Sequence, residues 1–158
     1  MSKEKERFFR HVVKGPDLSS CWIWTGAISN DGYGIFWRKD PVTGKDSPIK
    51  AHRYVLLLLS QDAQLPEGAQ ALHKCDNTLC VRASRDGSTH LVLGTRAENM
   101  ADRARRGRSN LQSNQRSSKK QRAQAAREIR DYIKRKGYSQ DLIDQLMKGS
   151  IAGQQTLF

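Results

Sequence analysis

The chain has 158 residues, 37% of them hydrophobic and 28% charged, so we expect one compact domain with a tail and only a modest core. Its longest apolar run, Val55 to Leu59, is far shorter than the roughly 20 residues that cross a membrane, and its charged N-terminal residues are unlike a signal peptide. These features exclude a membrane or secreted protein and predict a cytoplasmic one with no membrane partner. The three cysteines are then expected to be reduced thiols or metal ligands.

Positive charge is concentrated in one part of the chain. The net charge is +12, from 28 Lys and Arg residues against 16 Asp and Glu residues. Residues 103–136 contain 13 of the basic residues and two acidic ones, a net of +11, which leaves +1 for the remainder. A basic segment of this kind indicates a nucleic-acid partner, although a solvated helix face would have the same composition.

Aromatic residues dominate the predicted elements that follow the N-terminus. Residues 1–19 fit a short amphipathic helix that ends at Gly15-Pro16. The stretches Cys21–Thr25 and Tyr33–Trp37 are predicted strands, and Asn30-Asp31-Gly32 between them predicts an antiparallel hairpin. The large aromatic residues of this hairpin are expected in the core rather than as a stacking platform for bases; they are Trp22, Trp24, Phe36 and Trp37.

A loop and a helix are predicted next. Residues 38–48 contain Asp-Pro, Thr-Gly and Ser-Pro turn signals and are predicted as loop. Ala51–Gln61 fits a short buried helix that stops before a Pro-Glu-Gly turn. His52 on this helix is expected to be a hydrogen-bonded packing residue.

Two strands and a helix are predicted after this turn. Ala69–His73 and Thr89–Leu93 are short strand candidates joined by a polar loop. Thr95 is the expected N-cap of a helix that runs to about Arg106, and Glu98 completes a capping box. The predicted unit is therefore strand, strand, helix.

The C-terminal part is predicted to be helical beyond a linker. Residues 108–118 are polar and poor in apolar side chains, which is typical of a linker. Lys119–Lys136 is predicted as a helix whose apolar face contains Ala126, Ile129 and Ile133. Ser139 can cap a second helix over Gln140–Met147.

Four residues have the chemistry of a structural metal site. Cys75 and Cys80 lie in the polar loop, His90 begins the next strand, and Cys21 belongs to the predicted hairpin. Three thiolates and one imidazole form the donor set of a closed, tetrahedral zinc site. A core this small gains stability from such a site.

A histidine and an asparagine outside that set form a second candidate site. His73 ends a predicted strand, and Asn99 lies about one turn into the following helix, where it can face back toward that strand. An imidazole free of metal beside an oxygen ligand for a hard cation suits metal-assisted phosphodiester hydrolysis. On these residues alone, the sequence permits both a zinc site and a hydrolytic site.

The order of the motifs carries a family resemblance. His-x-Cys-x-Asn-Thr-x-Cys starts at His73, and His-Leu at His90 is followed nine residues later by Asn99. Cys-Trp-x-Trp-x-Gly, Gly-Tyr-Gly, Ala-His-Arg-Tyr and Gly-Thr-x-x-Glu-Asn flank them between Cys21 and Gly107. Together these elements resemble the His-Cys box homing endonucleases and phage HNH endonucleases, members of the ββα-metal (His-Me finger) nuclease group.

This resemblance implies a fold and a set of roles. The fold would be α+β, a small zinc-stapled domain with a central ββα-metal unit, followed by a basic helical tail. His73 would be the general base, Asn99 would hold a catalytic Mg²⁺ for which Mn²⁺ can substitute, and Arg53 would steady the cleaved phosphate. Structural Zn²⁺ would be held by four ligands: Cys21, Cys75, Cys80 and His90.

The implied organisation is a DNA endonuclease in the host cell of a phage or mobile element, as a monomer or a homodimer. Its nuclease domain would span 1–107, with the ββα-metal core at about 69–107. The linker would lead to a basic DNA-binding extension over 119–158, which weakly resembles a truncated helix-turn-helix module. The basic residues expected to contact DNA are Arg103, Arg105, Arg106, Arg108, Lys119, Lys120, Arg122, Arg127 and Arg130.

Two features depart from the family pattern. Nine residues without Asn-Pro separate Cys80 from His90, so Asn77 is the nearby substitute for the family's middle asparagine. Leu72 precedes the candidate base, where many relatives carry Asp or His as a further metal ligand. These departures favour an alternative, a catalytically inactive HNH-fold protein that only binds DNA. A third hypothesis, a basic RNA-binding zinc protein, predicts no metal-dependent hydrolysis.

Overall fold

A computed structural model describes residues 2–62, 64–106 and 115–152 of the chain. In the last range it describes side chains from 119 to 147. These ranges form a small α+β fold with five helices and three two-stranded antiparallel sheets. The helices are α1 (Lys3–Phe9), α2 (Ala51–Ser60), α3 (Arg96–Arg105), α4 (Gln115–Lys136) and α5 (Gln140–Ala152). The strands are β1 (Val12–Lys14), β2 (Trp22–Trp24), β3 (Ile35–Lys39), β4 (Asp46–Lys50), β5 (Gln70–His73) and β6 (Leu91–Gly94).

The N-terminal helix is shorter than the sequence pattern predicts. Helix α1 ends at Phe9, and β1 then pairs antiparallel with β2, with Val12 opposite Trp24 and Lys14 opposite Trp22. The prediction of one helix over residues 1–19 is therefore wrong beyond Phe9. Two consecutive β-branched residues favour an extended strand once an aromatic strand is available as partner.

The predicted hairpin of two aromatic strands is also wrong. Strand β2 pairs with β1, whereas β3 pairs with β4, from Ile35 opposite Lys50 to Lys39 opposite Asp46. The turn between β2 and β3 does form, because an isolated bridge joins Ile28 to Gly34. Much of the predicted 38–48 loop is consequently strand, and residues 40–45 make the connection.

Aromatic rings build the centre of the core. Phe8, Trp24, Phe36 and Tyr54 contact one another with ring centroids 4.6–6.0 Å apart, and each is almost fully buried. Trp37 follows Phe36 on β3 and points the other way, so that 53% of its surface is exposed. The expectation of a core position is wrong for Trp37 because side chains alternate along a strand.

The β5–β6 sheet lies between two helices. Helix α2, predicted over Ala51–Gln61, packs its buried face on one side of the sheet, where the His73 ring lies 4.9 Å from the His52 ring. Helix α3 contacts β5 on the other side, where the Asn99 amide donates to Gln70 Oε1. Because strand side chains alternate, His73 and Gln70 face opposite helices.

The two C-terminal helices pack onto the same core. Ala126, Ile129 and Ile133 of α4 and Ile143 of α5 belong to one buried cluster with the aromatic residues. Helix α4 begins at Gln115, inside the predicted 108–118 linker, whose first seven residues lie outside the described ranges. Ser139 Oγ accepts a hydrogen bond from Leu142 N, which confirms the predicted cap, and α5 continues to Ala152. Among the described residues, every helix is too short or too polar to cross a lipid bilayer.

Candidate metal centre and catalytic site

Four predicted metal ligands meet at one point. The ligand atoms of Cys21, Cys75, Cys80 and His90 all lie within 4.8 Å of one another. His90 Nδ1 is 3.6 Å from the Cys21 sulfur and 3.5 Å from the Cys80 sulfur. Residues separated by up to 69 positions in the chain thus form one compact group.

Main-chain hydrogen bonds hold the segments that carry these ligands. Trp24 N donates to Leu79 O at 2.9 Å and Val81 N donates to Trp22 O at 2.8 Å, so the cysteine loop runs as a further partner of β2. His90 is fixed on both sides, because its N–H donates to Arg82 O and its carbonyl accepts from Lys74 N. Cys21 and Cys80 are brought together by this pairing rather than by a local turn.

The geometry of the group fits a tetrahedral zinc ion. With Zn–S near 2.3 Å and Zn–N near 2.05 Å, a tetrahedral centre places sulfur and nitrogen about 3.6 Å apart. The two sulfur–nitrogen distances, 3.6 and 3.5 Å, match that value. A soft set of three thiols and one imidazole, with two of the cysteines buried, also suits zinc. The cluster can therefore hold a metal such as zinc.

The thiols of the cluster change one another's pKa values. A hydrogen bond from Cys21 lowers the pKa of the Cys75 thiol, and the same bond raises the pKa of Cys21. Burial is the main cause that raises the pKa of Cys80 well above its ordinary value. A divalent cation in the cluster would supply the positive charge that deprotonated thiols need.

Two buried polar residues brace the cysteine loop. Asn77 is 2% exposed, and its Oδ1 accepts a hydrogen bond from Leu79 N while its carbonyl accepts from Cys80 N. Arg82 is 4% exposed and donates to Ser20 O at 2.7 Å, which ties the loop to the residue before Cys21. Asn77 was expected as the substitute for a bracing asparagine, whereas Arg82 carries no motif that would single it out in the sequence.

The His73 imidazole lies beside the cluster but is not part of it. Its Nε2 is 3.0 Å from the carbonyl oxygen of Cys80. Because a carbonyl oxygen can only accept, the proton is on Nε2 and the lone pair of the neutral ring is on Nδ1. Burial is the main cause that lowers the pKa of His73, so the ring is neutral near pH 7.

The side chain of Asn99 is oriented by a neighbour on β5. Thr95 Oγ1 accepts from Glu98 N and Glu98 Oε2 accepts from Thr95 N, so the predicted capping box starts α3 and places Asn99 one turn later. Asn99 Nδ2 donates to Gln70 Oε1 at 3.4 Å, and within the described residues its Oδ1 accepts no hydrogen bond. The amide therefore has an oxygen available for a hard cation.

Arg53 is anchored next to the start of β5. Its Nη1 donates to Ala69 O at 2.8 Å, and the side chain is half-buried on α2. The guanidinium has further N–H groups that can bind a phosphate oxygen.

Two rings near His73 received no catalytic or binding role from sequence reasoning. The Tyr33 ring lies 6.1 Å from the His73 ring, and the His52 ring lies 5.0 Å from Tyr33. His52 is buried as expected, but its Nδ1 makes no hydrogen bond within the described residues, so the expectation of a hydrogen-bonded side chain is wrong for that atom. The Gly-Tyr-Gly and Ala-His-Arg-Tyr motifs were the available signal for both.

The residues expected to contact DNA have different surroundings. Arg106 forms ion pairs with Asp76 and Asp102, and Arg105 also approaches Asp102. Arg130 pairs with Asp131, Arg103 is half-buried, and Arg108 lies outside the described residues. A surface depression of about 400 Å³ on α4 is lined by Asn30, Lys119, Lys120, Ala123, Gln124 and Arg127. The remaining candidate, Arg122, donates from Nε to Asp31 O at 2.8 Å.

Part of the chain is similar to two curated proteins of Escherichia phage T7. Protein 2.8 is 38% identical over 91 residues, which cover 58% of this chain and 54% of that protein. Protein 7.7 is 32% identical over 91 residues, which cover 58% of this chain and 60% of that protein. The chain thus spans little more than half the length of these relatives. No family model matches the chain, and no solved structure matches it.

Proposed function

We propose that the protein is a metal-dependent DNA endonuclease of the HNH type, with His73 as general base. The observation that carries this proposal is the hydrogen bond from His73 Nε2 to the Cys80 carbonyl. It fixes the proton on Nε2 and leaves the lone pair of the neutral ring on Nδ1, where it can accept a proton.

The proposed reaction is hydrolysis of one phosphodiester bond. His73 Nδ1 accepts a proton from the attacking water, the new P–O bond forms, and the bond to the leaving 3′ oxygen breaks. Asn99 Oδ1 would hold Mg²⁺ or Mn²⁺, which when bound stabilises negative charge on the phosphate and the leaving oxygen. Arg53 would contact a nonbridging oxygen of the cleaved phosphate.

The position of α3 relative to β5 supports this proposal. Helix α3 starts beside Gln70 and reaches Asp76 through Arg106, so it runs along β5 and past the end that carries His73. His73 faces α2 and Asn99 contacts Gln70 from α3, so the two groups lie on opposite faces of β5. We place the scissile phosphate around the His73 end of β5, which a bound strand reaches from both faces. The zinc cluster then has a role in catalysis, because it fixes the Cys80 carbonyl that orients the base.

The charge of the chain and its phage relatives support the proposed partner and cellular location. The net charge of +12 suits a polyanion, and the two similar proteins belong to a phage. We therefore infer a phage enzyme that acts on DNA in the cytoplasm of the host cell, with a ββα-metal unit formed by β5, β6 and α3.

Nicking of a supercoiled plasmid in MgCl₂ tests the role of His73. The variant His73→Ala should lose about 10²- to 10⁴-fold in rate, the range expected for a general base. His11→Ala removes an exposed imidazole elsewhere and should cut like wild type. Unchanged zinc content and DNA affinity would show that His73→Ala remains folded, and wild-type cutting by that variant would refute the assignment.

The role of Asn99 is tested by measuring how the nicking rate depends on Mg²⁺ concentration. Asn99→Ala should need much more Mg²⁺ for the same rate, because it lacks the oxygen ligand. Met100→Ala alters an exposed neighbour on the same helix and serves as the matched control. Equal Mg²⁺ dependence of the two variants would remove Asn99 from the site.

A DNA-binding protein without catalytic activity is the second candidate. Leu72, next to the candidate base, supplies no ligand, which leaves Asn99 as the sole proposed protein ligand. This alternative predicts DNA binding with no nicking at any Mg²⁺ or Mn²⁺ concentration. An RNA-binding protein would instead bind RNA more tightly than DNA of the same sequence.

A further inference from the structure

Tyr33 lies in a group of two cations and two imidazoles. Lys50 Nζ is 5.2 Å and the Arg122 guanidinium carbon 5.6 Å from the centre of its ring. The same ring contacts His52 at 5.0 Å and His73 at 6.1 Å. Tyr33 therefore connects the candidate catalytic histidine to helix α4.

A glycine permits this approach of α4. Gly32, just before Tyr33, has φ +85°, and a Cβ added there would lie 3.0 Å from main-chain atoms of Arg122. A larger residue would strain the turn and push the helix away. The placement of Arg122 beside Tyr33 is thus built into the packing of the turn against α4.

The polar atoms of the group are suited to an anion. Within the described residues the Tyr33 hydroxyl makes no hydrogen bond, and Arg122 uses Nε alone, which leaves its two terminal nitrogens for a ligand. Lys50 Nζ donates to Ser29 Oγ at 2.9 Å and to the two Asp31 carboxylate oxygens at 2.7 and 2.9 Å, so it contributes charge but no free donor. Two cations and one carboxylate leave a net charge of +1. Because cations and His52 surround the ring, a base has little room to stack, and phosphate is the better fit.

We propose that the Tyr33 hydroxyl and the Arg122 guanidinium, with the charge of Lys50 beside them, form a second phosphate-binding subsite of the DNA-binding surface, next to His73. The inference rests on the proposed function, since it extends the substrate path away from the scissile phosphate. The strand would continue onto the depression lined by Lys119, Lys120 and Arg127. Helix α4 then acts as a fixed wall of the DNA-binding surface.

DNA affinity and its salt dependence test this subsite. The zinc-loaded full chain is titrated into a fluorescein-labelled duplex at several KCl concentrations without divalent cations, and anisotropy is measured. Arg122→Gln should bind about tenfold more weakly, with a slope of log K against log salt less steep by about 1. Tyr33→Phe should weaken binding severalfold without changing the slope, because it removes a neutral donor.

Matched controls separate the subsite from general charge loss. Arg135→Gln removes one exposed charge from the far part of α4, and Tyr138→Phe removes a hydroxyl that bonds Gln140. Both should bind DNA within twofold of wild type. Tyr33→Phe keeps the ring and its packing, so it reports on the subsite even where Arg122→Gln loosens α4.

The possible outcomes are distinct. Wild-type affinity for Tyr33→Phe, or equal losses for Arg122→Gln and Arg135→Gln, would overturn the subsite. The binding measurement needs no cleavage. A chain that fails to nick DNA but shows the expected losses would refute the endonuclease and retain the subsite, whereas an active nuclease without these losses would retain the enzyme alone.

Discussion

The contact between His73 Nε2 and the Cys80 carbonyl joins the metal cluster to the candidate base. The residue types in the sequence predicted a free imidazole near a Cys₃His set. They could not predict which ring nitrogen carries the proton, because that depends on an acceptor seven residues away whose position is set by β2 and the cluster.

In the proposed site, Gln70 is a positioning residue for Asn99. Gln70→Ala removes the acceptor of Asn99 Nδ2 and should raise the Mg²⁺ requirement for nicking roughly tenfold, the lower end for second-shell partners of a metal ligand. Gln70→Glu keeps an acceptor oxygen and should restore a near-normal requirement. The role would be excluded by a Gln70→Ala variant whose Mg²⁺ titration overlays that of wild type.

Tyr54 gives a residue-scale prediction about pH. Burial, and then the hydrogen bond to Glu4 Oε1, raise the pKa of Tyr54 above its ordinary value of 10. Because the pKa of the Tyr54 hydroxyl is higher in the folded state than in the unfolded state, this group contributes its full stabilisation below pH 10. Its contribution decreases progressively above pH 10. Tyr54→Phe should therefore cost about 1–2 kcal/mol of unfolding free energy at pH 7.

The difference between wild type and Tyr54→Phe should shrink as the pH rises above 10. Urea unfolding at a series of pH values measures both proteins. A stability difference that is constant from pH 7 to pH 11, or one that grows, would contradict this account of the Tyr54 hydroxyl.

Helix α3 shows where local signals suffice. Its capping box joins residues three positions apart, so the sequence alone predicts it, and the structure confirms it. The pairing of β1 to β4 shows the opposite case. Strands of three to five residues carry no signal for their partner, and the aromatic strands β2 and β3 each pair with a less conspicuous neighbour.

The capping box should contribute measurably to stability. Thr95→Ala removes the acceptor of Glu98 N and should lower the unfolding free energy by about 1 kcal/mol. Thr95→Ser keeps the hydroxyl, and its unfolding free energy should differ from that of wild type by only a few tenths of a kcal/mol. Chemical denaturation of the three proteins compares them directly, and equal midpoints for the Ala and Ser variants would count against the cap.

At the scale of the whole molecule, the Cys₃His cluster joins the N-terminal strands to the β5–β6 unit. Cys21 comes from the first part and the other three ligands from the second. Removing zinc with a chelator should abolish the cooperative thermal transition, because binding energy at such a site is folding energy. Addition of Zn²⁺, but not of Mg²⁺, should restore it.

Near-ultraviolet circular dichroism of the three tryptophans follows this experiment. Trp22 and Trp24 lie in β2, directly after Cys21, so their signals should disappear with the metal. A chelated protein that keeps both its spectrum and its melting temperature would show that the four side chains pack without a metal.

The sequence by itself determined the chemistry that is local or additive. It identified the four soft ligands, the basic segment, helix α2, the β5 and β6 strands and the start of α3, because these follow from residue type and from spacings of a few positions. It also indicated that Ala126, Ile129 and Ile133 share a face, and the structure confirms that they are buried.

Only the tertiary structure decided which distant segments meet. It placed β1 beside β2, the proton of His73 on Nε2, Gln70 against Asn99, and Arg122 beside Tyr33. Each of these arrangements depends on residues that are distant in the sequence. The attraction between any two of them alone is weak and unspecific. The arrangements are fixed by the burial of one shared core and by main-chain hydrogen bonds, which no short stretch of sequence encodes.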